Sequence, residues 1–242
     1  MNWLMLAIAP GVAISAYIIL KDEHNREPRK HLIISFLLGA LSIIPAMLLE
    51  LPIAFTEQHL FFKSTLGNAL KAYLMVALPE EICKYFMLKR YAYQQPAYDE
   101  PFDGIVYAVM VGMGFATVEN ILYVYQYGMG TGILRMFLAV PAHATFAILM
   151  GYFMGKAKFE TKREPYLLGA GLFWAILFHG SYNFFLFLKD TQHKDNEFSL
   201  LMLLGALISL ITGIVLSKKA IAVHLHKSAS TFTTNNLNVN DQ

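Results

Sequence analysis

Residues 101–125 read PFDGIVYAVMVGMGFATVENILYVY, with only Asp103 and Glu119 charged. At ~1.5 Å of rise per residue, such a run crosses the ~30 Å hydrocarbon core of a bilayer as one helix. A lone glutamate deep in such a helix is costly next to lipid, so it predicts a protein-facing side within a bundle. Working outward, similar runs occur at 2–20, 32–55, 66–88, 133–155, 166–188 and 198–217. With the 102–125 segment they predict an all-α, polytopic membrane helix bundle of about seven transmembrane helices. The run at 66–88 is the most polar, since it holds Lys71, Glu80, Glu81 and Lys84.

Composition agrees. The chain has 242 residues, of which 56% are hydrophobic and 15% charged, against roughly a quarter charged in soluble domains. Mean hydropathy is +0.46. A net charge of +2 gives no field suited to nucleic acid, which is not expected as a partner. The single cysteine, Cys83, excludes an internal disulfide framework and a multi-cysteine metal site.

The basic residues fix the orientation. Lys21, Arg26, Arg29 and Lys30 follow the first run, and Lys89 and Arg90 the third. Lys156, Lys158, Lys162 and Arg163 follow the fifth, and Lys218, Lys219 and Lys227 the seventh. The opposite side holds Lys63, Lys189 and Lys194. Positive charge stays in the cytoplasm, so the N-terminus is expected outside and the C-terminus inside. The first run lacks a basic leader and reads as an uncleaved helix. Residues 1–227 are expected to form one transmembrane domain. Residues 228–242, rich in Asn, Thr and Ser, are expected to be a disordered tail.

Four runs carry ionisable groups at similar depth. Glu80, Glu81 and Lys84 lie in the third, Glu119 in the fourth, His143 in the fifth, and His179 with Asn183 in the sixth. Residues four apart share a helix face, which pairs Glu80 with Lys84, Phe115 with Glu119, and His179 with Asn183. Two imidazoles among carboxylates suit a divalent metal such as zinc, and equally a metal-free general base. In either case a water is deprotonated and a peptide carbonyl polarised. Histidine and Asn183 are suited to donating to the oxyanion that forms, and Asn183 also to orienting His179.

Plainer readings exist for each residue alone. His143 follows Pro141, whose kink frees a backbone carbonyl for it. Asn183 serves as helix–helix glue, Lys84 as the partner of an ion pair with Glu80, and Glu50 as an interfacial residue. The glycines Gly104, Gly112 and Gly114 allow close helix approach. The ensemble is harder to dismiss, since three acids and two imidazoles on four helices are costly without a function. The rival functional reading is a proton-coupled transporter or channel with these groups as its relay. No inverted repeat is visible, which argues against it. A non-catalytic receptor or scaffold is the third reading.

The ordered set Glu80-Glu81-x-x-Lys84, Asp99-Glu100-Pro101-Phe102-Asp103-Gly104-Ile105-Val106-Tyr107, Phe115-x-x-x-Glu119-Asn120, His143 and His179-x-x-x-Asn183 resembles the PrsW family. These are bacterial multi-spanning membrane proteases related to the CAAX prenyl endopeptidases and bacteriocin-immunity proteases. The resemblance implies an intramembrane endopeptidase of the bacterial inner (cytoplasmic) membrane. Its partners would be the lipid bilayer and a membrane-anchored protein substrate, such as an anti-sigma factor in regulated intramembrane proteolysis. It implies Glu80 and Glu81 as catalytic carboxylates, assisted by His179 and Asn183. Glu119, His143 and His179 would complete a metal site, or a water site if the enzyme works without metal, as is argued for CAAX relatives. The chain departs from the CAAX pattern at Lys84, where an arginine stands one place later, and at Glu119, where those relatives have histidine. Some family members carry Asp where Asn183 stands.

Overall fold

The computed structural model describes residues 3–23, 25–56, 64–191 and 196–240, with backbone only at 53–56, 190–191, 196–198 and 230–240. Helix α1 spans Trp3–Lys21, α2 Arg29–Leu41 and α3 Ile43–Thr56. Next come α4 (Thr65–Leu70), a π-helical stretch (Lys71–Ala77) and α5 (Leu78–Arg90), which together form one continuous helical run. The chain continues as α6 (Pro101–Tyr127), α7 (Met129–Phe137), α8 (Ala139–Phe159), α9 (Glu164–Thr191) and α10 (Asn196–Asn240). Among the described residues there is no strand.

Burial ranks the helices. The apolar window of α6 is 78% buried, whereas that of α10 is 17% buried. Helix α6 is therefore the central post, with α8 packed along it and α1, α2 and α9 around the pair. The α6–α8 approach depends on glycine. A Cβ on Gly104 would strike the carbonyl of Gly151, and one on Gly151 would strike that of Gly104. This is the backbone-to-backbone packing that small residues permit between membrane helices. Outer faces stay apolar and exposed, as at Leu37, Leu48, Leu204 and Ile208. Lipid, not water, is the solvent that suits them.

Among the described residues, six helical stretches are long and apolar enough to cross a membrane: Trp3–Lys21, Arg29–Pro52, Pro101–Tyr127, Met129–Phe159, Thr161–Lys189 and Ser199–Ala229. The helical run 65–90, which contains the span expected at 66–88, is long enough but too charged to qualify. The second stretch contains a break at Ser42, whose hydroxyl donates to the Gly39 carbonyl at 2.7 Å. The expected span at 133–155 falls within the Met129–Phe159 stretch, which consists of α7 and α8 meeting at Leu138. Of segment 228–242, the backbone is helical to Asn240, while Asp241 and Gln242 lie outside the described residues.

One end of the bundle is tied by polar contacts. Lys89 Nζ pairs with Glu164 at 2.7 Å, and the Tyr93 hydroxyl donates to the same carboxylate. Helix α6 starts with a capping box, in which Glu100 and Asp103 satisfy each other's backbone N–H. The buried Glu27 in the α1–α2 loop accepts from the Tyr107 hydroxyl.

Candidate active site

The π-helical stretch delivers the first two site residues. Its wider turn rotates α5 relative to α4, and such insertions often mark functional sites. Tyr73 within it lies over Gly180 of α9, and its hydroxyl meets Ser181 Oγ at 2.7 Å. This contact locks the start of α5 against the helix that carries His179. Pro79 has no backbone N–H, so it cannot bond back to the preceding turn of the continuous run, and the π-helical stretch ends just before it.

Glu80, Glu81, His143 and His179 then converge. One ligand atom from each lies within 4.8 Å of the others, and all four residues are buried. They come from α5, α8 and α9. Lys84 stands among them. Its ammonium donates to Glu80 Oε2 at 2.9 Å and to Glu81 Oε1 at 2.8 Å, and sits 3.3 Å from His143 Nδ1. It also lies 3.9 Å from the ring centroid of Phe115, within cation–π range.

These contacts fix the imidazole tautomers. An ammonium only donates, so His143 Nδ1 accepts. The proton of His143 is then on Nε2, which faces Glu119 Oε2 at 2.8 Å. His179 Nδ1 lies 2.8 Å from Glu81 Oε1. A carboxylate accepts, so the proton is on Nδ1 and His179 Nε2 keeps its lone pair. The His179 ring stacks on Phe146 at 4.8 Å and meets His143 edge-on at 5.2 Å. Both histidines are thus held by a carboxylate and an aromatic wall.

Glu119 stands one shell out. It pairs with His143 and, at 2.8 Å, with Arg135 of α7. Arg135 Nε donates to Asn120 Oδ1 at 3.0 Å, and Asn120 Nδ2 donates to the Ala7 carbonyl at 2.9 Å. A polar chain therefore runs from α1 through α6 and α7 to His143. Glu80, Glu119, Arg135, His143, His179 and Asn183 all line one cavity of about 800 Å³. Its walls include Leu122, Leu134 and Leu186, and Glu50, expected at the interface, also lines it.

Of the residues expected at the site, Glu80, Glu81, His143 and His179 meet directly. Glu119 reaches the group through His143, and Asn183 lies on the shared cavity wall. His143 bonds side chains and not the carbonyl freed by Pro141. Sequence reasoning treated Lys84 as a paired cation and gave Arg135 no role. The signal for Arg135 was present, since an arginine inside a membrane run needs a partner.

The donor set suits a divalent metal by chemistry: two carboxylates and two imidazoles, one imidazole with an available Nε2. Fold and site together define the class, a multi-pass membrane protein built around an intramembrane Glu/His centre. A family model described as PrsW family intramembrane metalloprotease matches residues 27–212. The chain belongs to that family and is a peptidase of the bacterial membrane. It is 39% identical over 183 residues to Protease PrsW of Geobacillus kaustophilus, covering 76% of this chain and 79% of the relative. It is 36% identical over 182 residues to Protease PrsW of Bacillus subtilis, covering 74% and 80%. With Protease PrsW of Clostridioides difficile it shares 36% identity over 193 residues, covering 76% and 79%. No solved structure matches the chain.

Proposed function

We propose that the protein hydrolyses a peptide bond of a membrane-anchored protein at the Glu80/Glu81/His143/His179 centre. The observation that carries the reading is the convergence of these four buried residues within 4.8 Å, with Glu80, His143 and His179 on the wall of a large cavity. A substrate segment enters the cavity between helices. Glu80, which lines it, takes a proton from water. Glu81 lies behind it, and its bond to His179 Nδ1 holds that ring in one orientation. Asn183 donates to the developing oxyanion, and His179 joins it once its Nε2 has taken up a proton. Glu119 and Arg135 hold His143 in place. The resemblance noted in the sequence points to an anti-sigma factor as the substrate.

Glu80, Glu81, His143 and His179 would hold a divalent ion such as zinc, with Glu119 orienting His143. Such an ion supplies a polarised carbonyl and a more acidic water. The run 65–90 is best read as a seventh crossing, shielded from lipid by its neighbours, with the N-terminus outside and the C-terminus in the cytoplasm. The transmembrane domain is placed at 1–227.

The test compares membrane proteomes of cells carrying wild type and Glu80→Gln. At least one membrane-anchored protein should acquire a new terminus only in the wild type. Identical termini in both would count against the reading. Inhibition by chelator with recovery on zinc addition would support the metal version, and full activity after exhaustive chelation would reject it.

A further inference from the structure

We propose that Lys84 is the resident cation of the candidate active site, and that a divalent metal binds there only by displacing the lysine ammonium. The proposal rests on the assignment of Glu80, Glu81, His143 and His179 as the site, and it adds to that reading the way in which metal loading is limited.

The geometry is specific. An ammonium has three N–H donors. Here it has three acceptors: Glu80 Oε2 at 2.9 Å, Glu81 Oε1 at 2.8 Å and His143 Nδ1 at 3.3 Å. The Phe115 ring covers a further side. Those acceptors belong to three of the four residues of the candidate metal group. The His143 lone pair that a metal would use is the one that accepts from Lys84, because Nε2 of that ring is turned to Glu119. The same lone pair cannot serve both cations at once, and two positive charges in a buried site repel strongly. Lys84 is itself buried, at 4% exposure, and its backbone sits in the middle of α5. Displacing its side chain means breaking two buried ion pairs. Removing one partner of a buried pair leaves the other charge uncompensated. Metal must offset that loss before it gains anything. The three N–H donors of the ammonium are thus all met by residues that a metal would need.

The test uses the full-length protein, purified in detergent and stripped with chelator, as wild type, Lys84→Met and Lys84→Arg. Zinc ion alone is titrated, with bound zinc counted by elemental analysis after equilibrium dialysis. Lys84→Met should bind zinc at least about tenfold more tightly than wild type. Lys84→Arg, which keeps a cation, should bind as weakly as wild type. Zinc should also raise the melting temperature of Lys84→Met more than that of wild type. If Lys84→Met does not fold after stripping, zinc present throughout purification should restore a folded, monodisperse protein, and failure to do so counts against the proposal. Equal or tighter zinc binding by wild type than by Lys84→Met overturns it. Failure of the peptidase reading would appear elsewhere, as absence of Glu80-dependent cleavage.

Discussion

At the residue scale, the centre consists of side chains that restrain one another. His143 is pinned through both ring nitrogens, by Lys84 and Glu119. His179 is pinned through Nδ1 by Glu81. Replacing His179 by Asn should lower kcat by about 100-fold or more, the scale of a lost acid–base or oxyanion group. Arg135 touches Glu119 and not the centre itself, so it is a positioning residue. Arg135→Gln should lower kcat by roughly 10–100-fold, as loss of an outer partner does at ordered polar sites. KM should change little, and a rise in KM at constant kcat would contradict the role. The acids and histidines were legible in the sequence because each is anomalous within an apolar run. The central place of Lys84 and the role of Arg135 were not. Spacing within one helix shows which residues share a face, whereas Lys84 to His143 and Arg135 to Glu119 are contacts between helices.

At the element scale, the work is done by breaks in regular helix. The π-helical stretch turns α5 so that Glu80 and Glu81 point inward, and α7, a short helix set off from α8 at Leu138, carries Arg135 against Glu119. Hydropathy marks apolar length and is blind to both breaks, so 133–155 read correctly as part of one crossing without a sign of the joint at Leu138. The α6–α8 contact was more legible, since glycines in an apolar helix announce close approach. Gly151→Val should force α6 and α8 apart and cost about 1–3 kcal/mol, the usual scale of overpacking. The measurement is thermal unfolding in detergent. Gly130→Ala supplies the contrast, because a Cβ there meets nothing within 4 Å. It should be neutral or stabilise by up to ~1 kcal/mol, since glycine is a poor helix former.

At the scale of the whole molecule, composition and charge placement specified a membrane bundle. The number of crossings was less legible, because the run that holds Glu80 and Glu81 is also the least apolar. Away from the site, the loop joining α1 and α2 docks on α6 through Glu27. Burial there pushes the Glu27 carboxyl up to about 7. It stays neutral in the folded protein where the unfolded chain would already ionise it. Its stabilising contribution is therefore full at pH below ~4.5 and is lost as pH rises through about 7. The melting temperature should fall between pH 5 and pH 8, and this fall should be smaller in Glu27→Gln. An unchanged slope in that variant would assign the pH response to other groups.

The central claim is that water attacks a peptide bond inside the bundle. The most direct measurement reconstitutes the pure protein in liposomes with membrane proteins from cells that lack it, in water enriched in oxygen-18. Mass spectrometry then reads the ends of any fragments produced. The account predicts a cut membrane protein whose new carboxyl terminus carries one heavy oxygen, and no such fragment with Glu80→Gln. Fragments without the label, or the same labelled fragment from Glu80→Gln, would contradict it.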